Sequence, residues 1–428
     1  MKRRTVRKRR AIALAVVVAV SLGLANCTGS TDPAPDTHDT SPLPSGITQR
    51  LDAALADALT LSGSSGAIAG VWAPWAGEWV GTPGSTTQEG SSPLTPDMRF
   101  RIGTNTTAMT CTVLLRLVDE GRVKLSDPVS NYLNRNLDVR GITLGQLCSN
   151  TSGLADYYPR LAAQFVANPT RQWPPMEILE NGLGARRVSG PGGASAQSST
   201  GIILLGMALQ SVTQQSWQSL YRQYIFDPLG MDDTSFPAPS DFEIPGPHPH
   251  GYAVAVSATG RQFCDRLQDA TELSNSMSWV AGGVVSTVAD MGIWARALAQ
   301  GSLLSGASVD AQWATASQGP ASPSWQGYGL GGVQLGPLRG RAGAIPGFLS
   351  ATLADPHSGL TVVVMLNNSS AGPGFAQALA QRLASIASTA HGSAAAPAPA
   401  LTLPWSEEET AQAMQSSADC QPPATAEG

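Results

Sequence analysis

The sequence predicts an α/β protein in which one antiparallel sheet is built from both chain ends, flanked by helices, with an inserted all-α region. Three observations carry this. GAIAGVWAPWAGEWVG, from Gly66, is an apolar hairpin pattern with Ala73 to Ala76 at its turn. FLSATLADPHSGLTVVVMLNN, from Phe348, is a second hairpin, and its turn Asp355-Pro356-His357-Ser358-Gly359 has the residues that tight turns require. Between the two the pattern is mainly helical, so the strands of one sheet come from opposite ends of the chain.

The elements follow in order. The first ten residues hold seven Lys or Arg and no acid, and Ala11 to Ala25 is uncharged and mostly aliphatic. A basic start and ~15 apolar residues make a secretory signal, because a spanning helix needs ~20. The run ends in Leu24-Ala25-Asn26-Cys27. Small residues before a cysteine resemble the bacterial lipoprotein processing site, where Cys27 becomes the lipidated new N-terminus. That makes residues 1–26 the signal peptide of an exported lipoprotein, anchored at the outer face of the cytoplasmic membrane. An ordinary cleaved signal with an incidental cysteine is the other reading.

Residues 27–46, rich in Pro, Thr, Ser and Asp, are too polar to pack and read as a tether. ITQRLDAALADAL then places Ile47, Leu51, Leu55 and Leu59 four apart, an amphipathic helix that opens a domain spanning residues 47–390. Phe100 to Ile102 is strand-like, Gly103 breaks it, and an apolar helix runs from Ala108 to Val118. GFAQALAQRLASIA closes the domain as a helix. Residues 391–428 form a Pro/Ala-rich tail, expected to be mostly disordered apart from a short helix at the capping box Ser406-Glu407-Glu408-Glu409.

The whole chain has 26 Lys plus Arg against 31 Asp plus Glu, a net charge of −5. Without residues 1–26 seven cations go, leaving 19 against 31, or −12. No basic stripe remains to displace phosphate counterions, which argues against nucleic-acid binding. Beyond Cys27 the cysteines are Cys111, Cys148, Cys264 and Cys420, which an oxidising compartment can pair. Cys111 and Cys148 sit in apolar helical contexts, as a buried bridge or as two small hydrophobes.

No cofactor or metal is called for. Gly327-Tyr328-Gly329-Leu330-Gly331-Gly332 satisfies G-x-G-x-x-G, but no helix pattern or ribose-binding acid follows, so it reads as a glycine-rich strand start. His248-Pro249-His250 lacks a third ligand nearby and reads as a loop pair. No G-x-S-x-G elbow occurs.

Six blocks occur in a telling order: FRIG…LVDEGRVKLSDPVSNYL, ITLGQLCSNTSGLADYY, STGIILLGMALQSVT, YIFDPLGMDDTSF, SWVAGGVVSTVADMGIWARAL and AGAIPGF. Together they resemble the serine β-lactamase and DD-peptidase superfamily in its class C branch. IPGPHPHGY and WQGYGLG look closer to secreted DD-carboxypeptidases. The resemblance runs from about Gly66 to Ser388 and implies the β-lactamase/transpeptidase-like fold.

It also implies a chemistry. A serine in Ser-x-x-Lys attacks an amide or ester carbonyl, with the lysine as base. A Tyr-x-Asn motif relays the proton. A His- or Lys-x-Gly on an edge strand binds the substrate carboxylate. The flanks FRIG and LVDEG align the first motif with Thr104-Asn105-Thr106-Thr107. Pro191-Gly192 and Thr200-Gly201 align the second with Gln197-Ser198-Ser199, and Pro346-Gly347-Phe348 aligns the third with Arg341-Ala342-Gly343. The expected site is therefore Thr104, Thr107, Gln197 and Arg341 at catalytic positions, with Ser199 and Gly343 as binding positions. Of the motif-defining residues only Gly343 is kept.

Lys124 is the only lysine beyond the signal, and Gly121 stands three residues before it, so no Ser-x-x-Lys exists there. A threonine hydroxyl needs a base, Arg341 cannot accept a proton, and Gln197 and Ser199 do not titrate. Asp156 is an acid nearby, at a position where the family carries a similar one for structural reasons. The expectation is a catalytically inactive envelope lipoprotein that binds a peptidoglycan stem peptide or similar acyl-peptide carboxylate through Arg341, or serves as a scaffold. Equally, Arg341 could pair with a neighbouring acid in a vestigial pocket. The rival is an active but atypical hydrolase (esterase, DD-carboxypeptidase or weak β-lactamase) using Thr104 or one of Ser195, Ser198 and Ser199. The plainer role for those serines is loop and helix-cap hydrogen bonding.

Overall fold

The computed structural model describes residues 41–420 apart from 91, 134–136, 258–261, 317, 320–321, 394–395 and 419. The signal, Cys27, most of the tether and the last eight residues lie outside the described residues.

Eleven strands occur among the described residues: β1 (Ala67–Ala73), β2 (Gly77–Gly81), β3 (Phe100–Arg101), β4 (Tyr252–Val256), β5 (Gln262–Asp269), β6 (Val285–Ser286), β7 (Gln326–Tyr328), β8 (Val333–Leu335), β9 (Leu338–Ile345), β10 (Phe348–Ala354) and β11 (Thr361–Leu366). Seven form the main antiparallel sheet, in the order β2-β1-β11-β10-β9-β8-β7. Both expected hairpins are there with their expected turns. They meet where β1 pairs with β11, Ala67 opposite Leu366 and Trp72 opposite Thr361.

The pleat explains why an unbroken apolar run such as VVVML makes a central strand. Val362, Val364 and Leu366 pack on one face with Leu51, Leu55, Phe375 and Leu379. Val363 and Met365 pack on the other with Met291 and Trp294. Both faces are covered, so both parities must be apolar. The first face carries the helices Ser45–Ser62 and Gly372–Ser388, and the second carries Val288–Gln300 and, beyond it, the helical region.

At the centre of that region lies the helix Thr106–Asp119, buried almost all round from Thr106 to Leu115. A helix without a polar face belongs inside a core. Gly103 leads into it with φ 54°, and a Cβ there would lie 2.4 Å from the carbonyl carbon of Ala344. Glycine is thus required both by the left-handed turn and by the contact with β9.

The tail differs from expectation. The capping box is present, with the Ser406 hydroxyl accepting from Glu409 N–H and the Glu409 carboxylate accepting from Ser406 N–H, and it starts the helix Glu407–Ser417. That helix is packed rather than loose. Met414 is fully buried, Trp405 donates to the Gln381 carbonyl at 3.3 Å, and Cys420 is bridged to Cys264. The proline-rich composition reflects a connector that crosses the helix Gly372–Ser388 before the apolar side of the last helix docks. Cys111 and Cys148 also form a bridge, joining the central helix to the end of the helix Leu144–Cys148.

Candidate active site

A cleft of about 390 Å³ opens where the start of the central helix, the segment before the helix Ser199–Thr213 and strand β9 converge. Thr104, Gln197, Ser199 and Arg341 all line it. Thr107 does not. The fold thus brings four of the six expected positions together around one space.

Thr104 sits in the short 3₁₀ turn Gly103–Asn105 that precedes the central helix. Its hydroxyl oxygen accepts from the Ala344 N–H at 3.3 Å, and its carbonyl accepts from Arg341 Nε at 2.8 Å. Thr107 is 1% exposed, and its hydroxyl donates to the Ala281 carbonyl at 3.4 Å, inside the helical region. One turn along the helix has carried it beneath the cleft floor. Gly343 lines nothing either. A Cβ there would lie 2.3 Å from Ile102 O and 2.4 Å from Asn105 N. Gly343 lets β9 approach the 3₁₀ turn closely, between Ala342 and Ala344, which line the cleft.

Arg341 is 4% exposed, and four of its N–H groups are claimed. Nε donates to Thr104 O, Nη1 to the Tyr328 hydroxyl and to Gly331 O, and Nη2 to Gln197 Oε1 at 3.1 Å. Among the described residues no carboxylate pairs with it, so the neighbouring acid that would make it a plain structural ion pair is missing. Gln197 Oε1 also accepts from Asn150 Nδ2 at 3.5 Å. Asn150 holds φ 57°, a conformation asparagine tolerates better than most residues, and its Oδ1 accepts from Ser198 N–H.

Asp156, half-buried, accepts from Tyr158 N–H at 3.1 Å and from the Ser199 hydroxyl at 3.4 Å. Burial raises its pKa above the usual carboxylate value against the lowering effect of those hydrogen bonds. Ser198 caps the helix by accepting from Gly201 N–H, and Ser195 donates to Ser149 O at 3.0 Å. Both are the plain structural roles expected of loop and cap serines.

Tyr328 is a titratable group of the cleft that touches Arg341 and could have stood in for a missing base. Burial raises its pKa above the ordinary phenol value, and this outweighs the adjacent guanidinium, which acts to lower it. The phenol therefore stays protonated at neutral pH and serves Arg341 as a neutral acceptor.

Comparison with known proteins fixes the family. The family model described as Beta-lactamase matches residues 52–386. The chain belongs to the Beta-lactamase family. It is 31% identical over 206 residues to the D-alanyl-D-alanine-carboxypeptidase/endopeptidase AmpH of Escherichia coli K12, an alignment covering 46% of this chain and 48% of AmpH. The chain spans about half the length of that relative. A D-stereospecific amidohydrolase from a Streptomyces species is 28% identical with TM-score 0.65, covering 76% of this chain and 95% of the enzyme. The octameric penicillin-binding protein homologue of Pyrococcus abyssi superposes with TM-score 0.66 at 20% identity, covering 79% and 76% of the two chains, which speaks to the fold alone.

Within this Beta-lactamase-family chain two cleft residues escaped sequence reasoning. Tyr328 lay inside a glycine-rich strand start and offered only an aromatic among glycines. Asn150 was visible as a turn-forming letter in SNTSG, but its approach to Gln197 joins residues 47 apart in the chain.

Proposed function

We propose that this protein is a catalytically inactive member of the Beta-lactamase family that binds a peptide carboxylate, of the peptidoglycan stem-peptide kind, in the cell envelope. One observation carries this: among the described residues no group that accepts a proton at neutral pH is bonded to the Thr104 hydroxyl. Thr107 is turned beneath the floor, Tyr328 keeps its proton, and Arg341 is a permanent cation. Losing nucleophile or base from a coupled hydrolytic set costs roughly 10⁶-fold. Arg341 supplies the binding role, since a guanidinium held only by neutral acceptors gains from an arriving carboxylate. Envelope location is supported by the signal-like pattern of residues 1–26 and by the carboxypeptidase name of AmpH. Lipid attachment at Cys27 is part of the proposal, and Cys27→Ala should move the protein from the membrane fraction to the soluble one.

The decisive experiment is covalent labelling. A fluorescent penicillin and a fluorophosphonate should leave the purified protein unlabelled. Labelling that disappears in Thr104→Ala would establish the protein as an enzyme. A second reading is favoured by one contact, the Ser199 hydroxyl on the Asp156 carboxylate, a serine beside a possible base. Labelling that survives Thr104→Ala and disappears in Ser199→Ala would support that hydrolase instead.

A further inference from the structure

Two formally charged side chains line the cleft among the described residues, the Arg341 guanidinium and the Asp156 carboxylate. They are not paired with each other. Arg341 is held by Thr104 O, Tyr328, Gly331 O and Gln197, and Asp156 by the backbone N–H groups of Tyr157, Tyr158 and Ser199 and by the Ser199 hydroxyl. Every one of these partners is neutral. Taking a cation and an anion partly out of water costs free energy, and neutral partners offset less of it than a well-placed opposite charge does.

Their spacing is bounded by the chain. Arg341 holds Gln197 and Asp156 holds Ser199, and Cα atoms two residues apart are separated by at most about 7 Å. Each charge thus grips one end of a three-residue stretch that lines the cleft. Around them stand further polar groups, Asn150, Ser195 and the Thr104 hydroxyl, within a volume of about 390 Å³, the scale of a small-molecule site. One N–H of Arg341 Nη2 has no acceptor among the described residues, and the Gln197 carbonyl is a neutral occupant that a carboxylate can displace.

We propose that the ligand of this cleft is a small zwitterion, an amino acid or short unacylated peptide, whose carboxylate is taken by Arg341 and whose free ammonium is taken by Asp156. This rests on the peptide-carboxylate function above and narrows it. An N-acylated peptide fills only the Arg341 end and leaves Asp156 facing an uncharged amide. The zwitterion neutralises both charges, and each contact becomes a charge-assisted hydrogen bond.

Calorimetric titration of the wild-type protein with D-Ala-D-Ala, its N-acetyl form and its C-terminal amide tests this. The free dipeptide should bind at least about tenfold tighter than either blocked form. In Asp156→Asn, an isosteric change, the advantage over the N-acetyl form should vanish while the affinity for the N-acetyl form is unchanged. An N-acetyl peptide that binds wild type as tightly as the free dipeptide overturns the zwitterion and leaves the carboxylate site standing. An amide that binds as tightly as the free dipeptide overturns the carboxylate site as well, and no heat from any of the three overturns both.

Discussion

Arg341 shows how one substitution redefines a site. At a position where the family resemblance implies a histidine or lysine, the planar guanidinium reaches four acceptors on three different segments, which a point-like ammonium could not do at once. It therefore knits the cleft walls together while remaining a cation without an anion. Asp156 is its counterpart, and pH reports on it. Its carboxyl has a raised pKa in the folded protein, so between the ordinary value and the raised one the folded chain holds a proton that the unfolded chain has released. Stability from this group is present at low pH and is lost as pH rises through the raised value. Asp156→Asn should thus melt above wild type at pH 7, with the gap closing as pH falls toward 4. A gap that widens on acidification would contradict the desolvation account.

Among the elements, the junction of β9 with the start of the central helix is the tightest. Gly343 and Gly103 let a strand and a 3₁₀ turn meet without side chains between them, and this places Thr104 against Ala344. Gly343→Ala forces backbone apart on both sides and should cost about 3 kcal/mol in urea denaturation, whatever the cleft binds. The bridge Cys111–Cys148 acts on the other wall. It closes a separation of 37 residues and ties the central helix to the segment that leads into Asn150. Cys111→Ala with Cys148→Ala should lower stability by about 3–4 kcal/mol, measured against wild type under non-reducing conditions. A loss below about 1 kcal/mol would mean that packing alone holds the two segments.

On the scale of the whole molecule, the C-terminal segment belongs to the core it crosses. Trp405 and Met414 are buried on the outer face of the helix Gly372–Ser388, and Trp325 contacts the Trp405 ring at 5.4 Å. Trp405→Ala with Met414→Ala should cost about 3–6 kcal/mol from the loss of these two buried side chains, and should lower the melting temperature accordingly. An unchanged melt would restore the loose tail that composition implied.

How far the sequence reaches is clear from particular elements. The hairpins around Ala73–Ala76 and Asp355–Gly359 were legible because short apolar runs bounded by turn chemistry are local signals. The central helix was legible because its residues from Thr106 to Leu115 are all apolar or small. The alignment of Thr104, Gln197 and Arg341 on one cleft was legible through collinear flanking blocks. What only the tertiary structure decided is orientation and partnership: Thr107 turned away from the cleft, Gly343 serving as a contact point, Arg341 without an acid, Tyr328 kept neutral, and the tail docked. Each of these depends on which distant segments arrive beside a residue and how much water they exclude, and neither quantity is written in the residue's own neighbourhood along the chain.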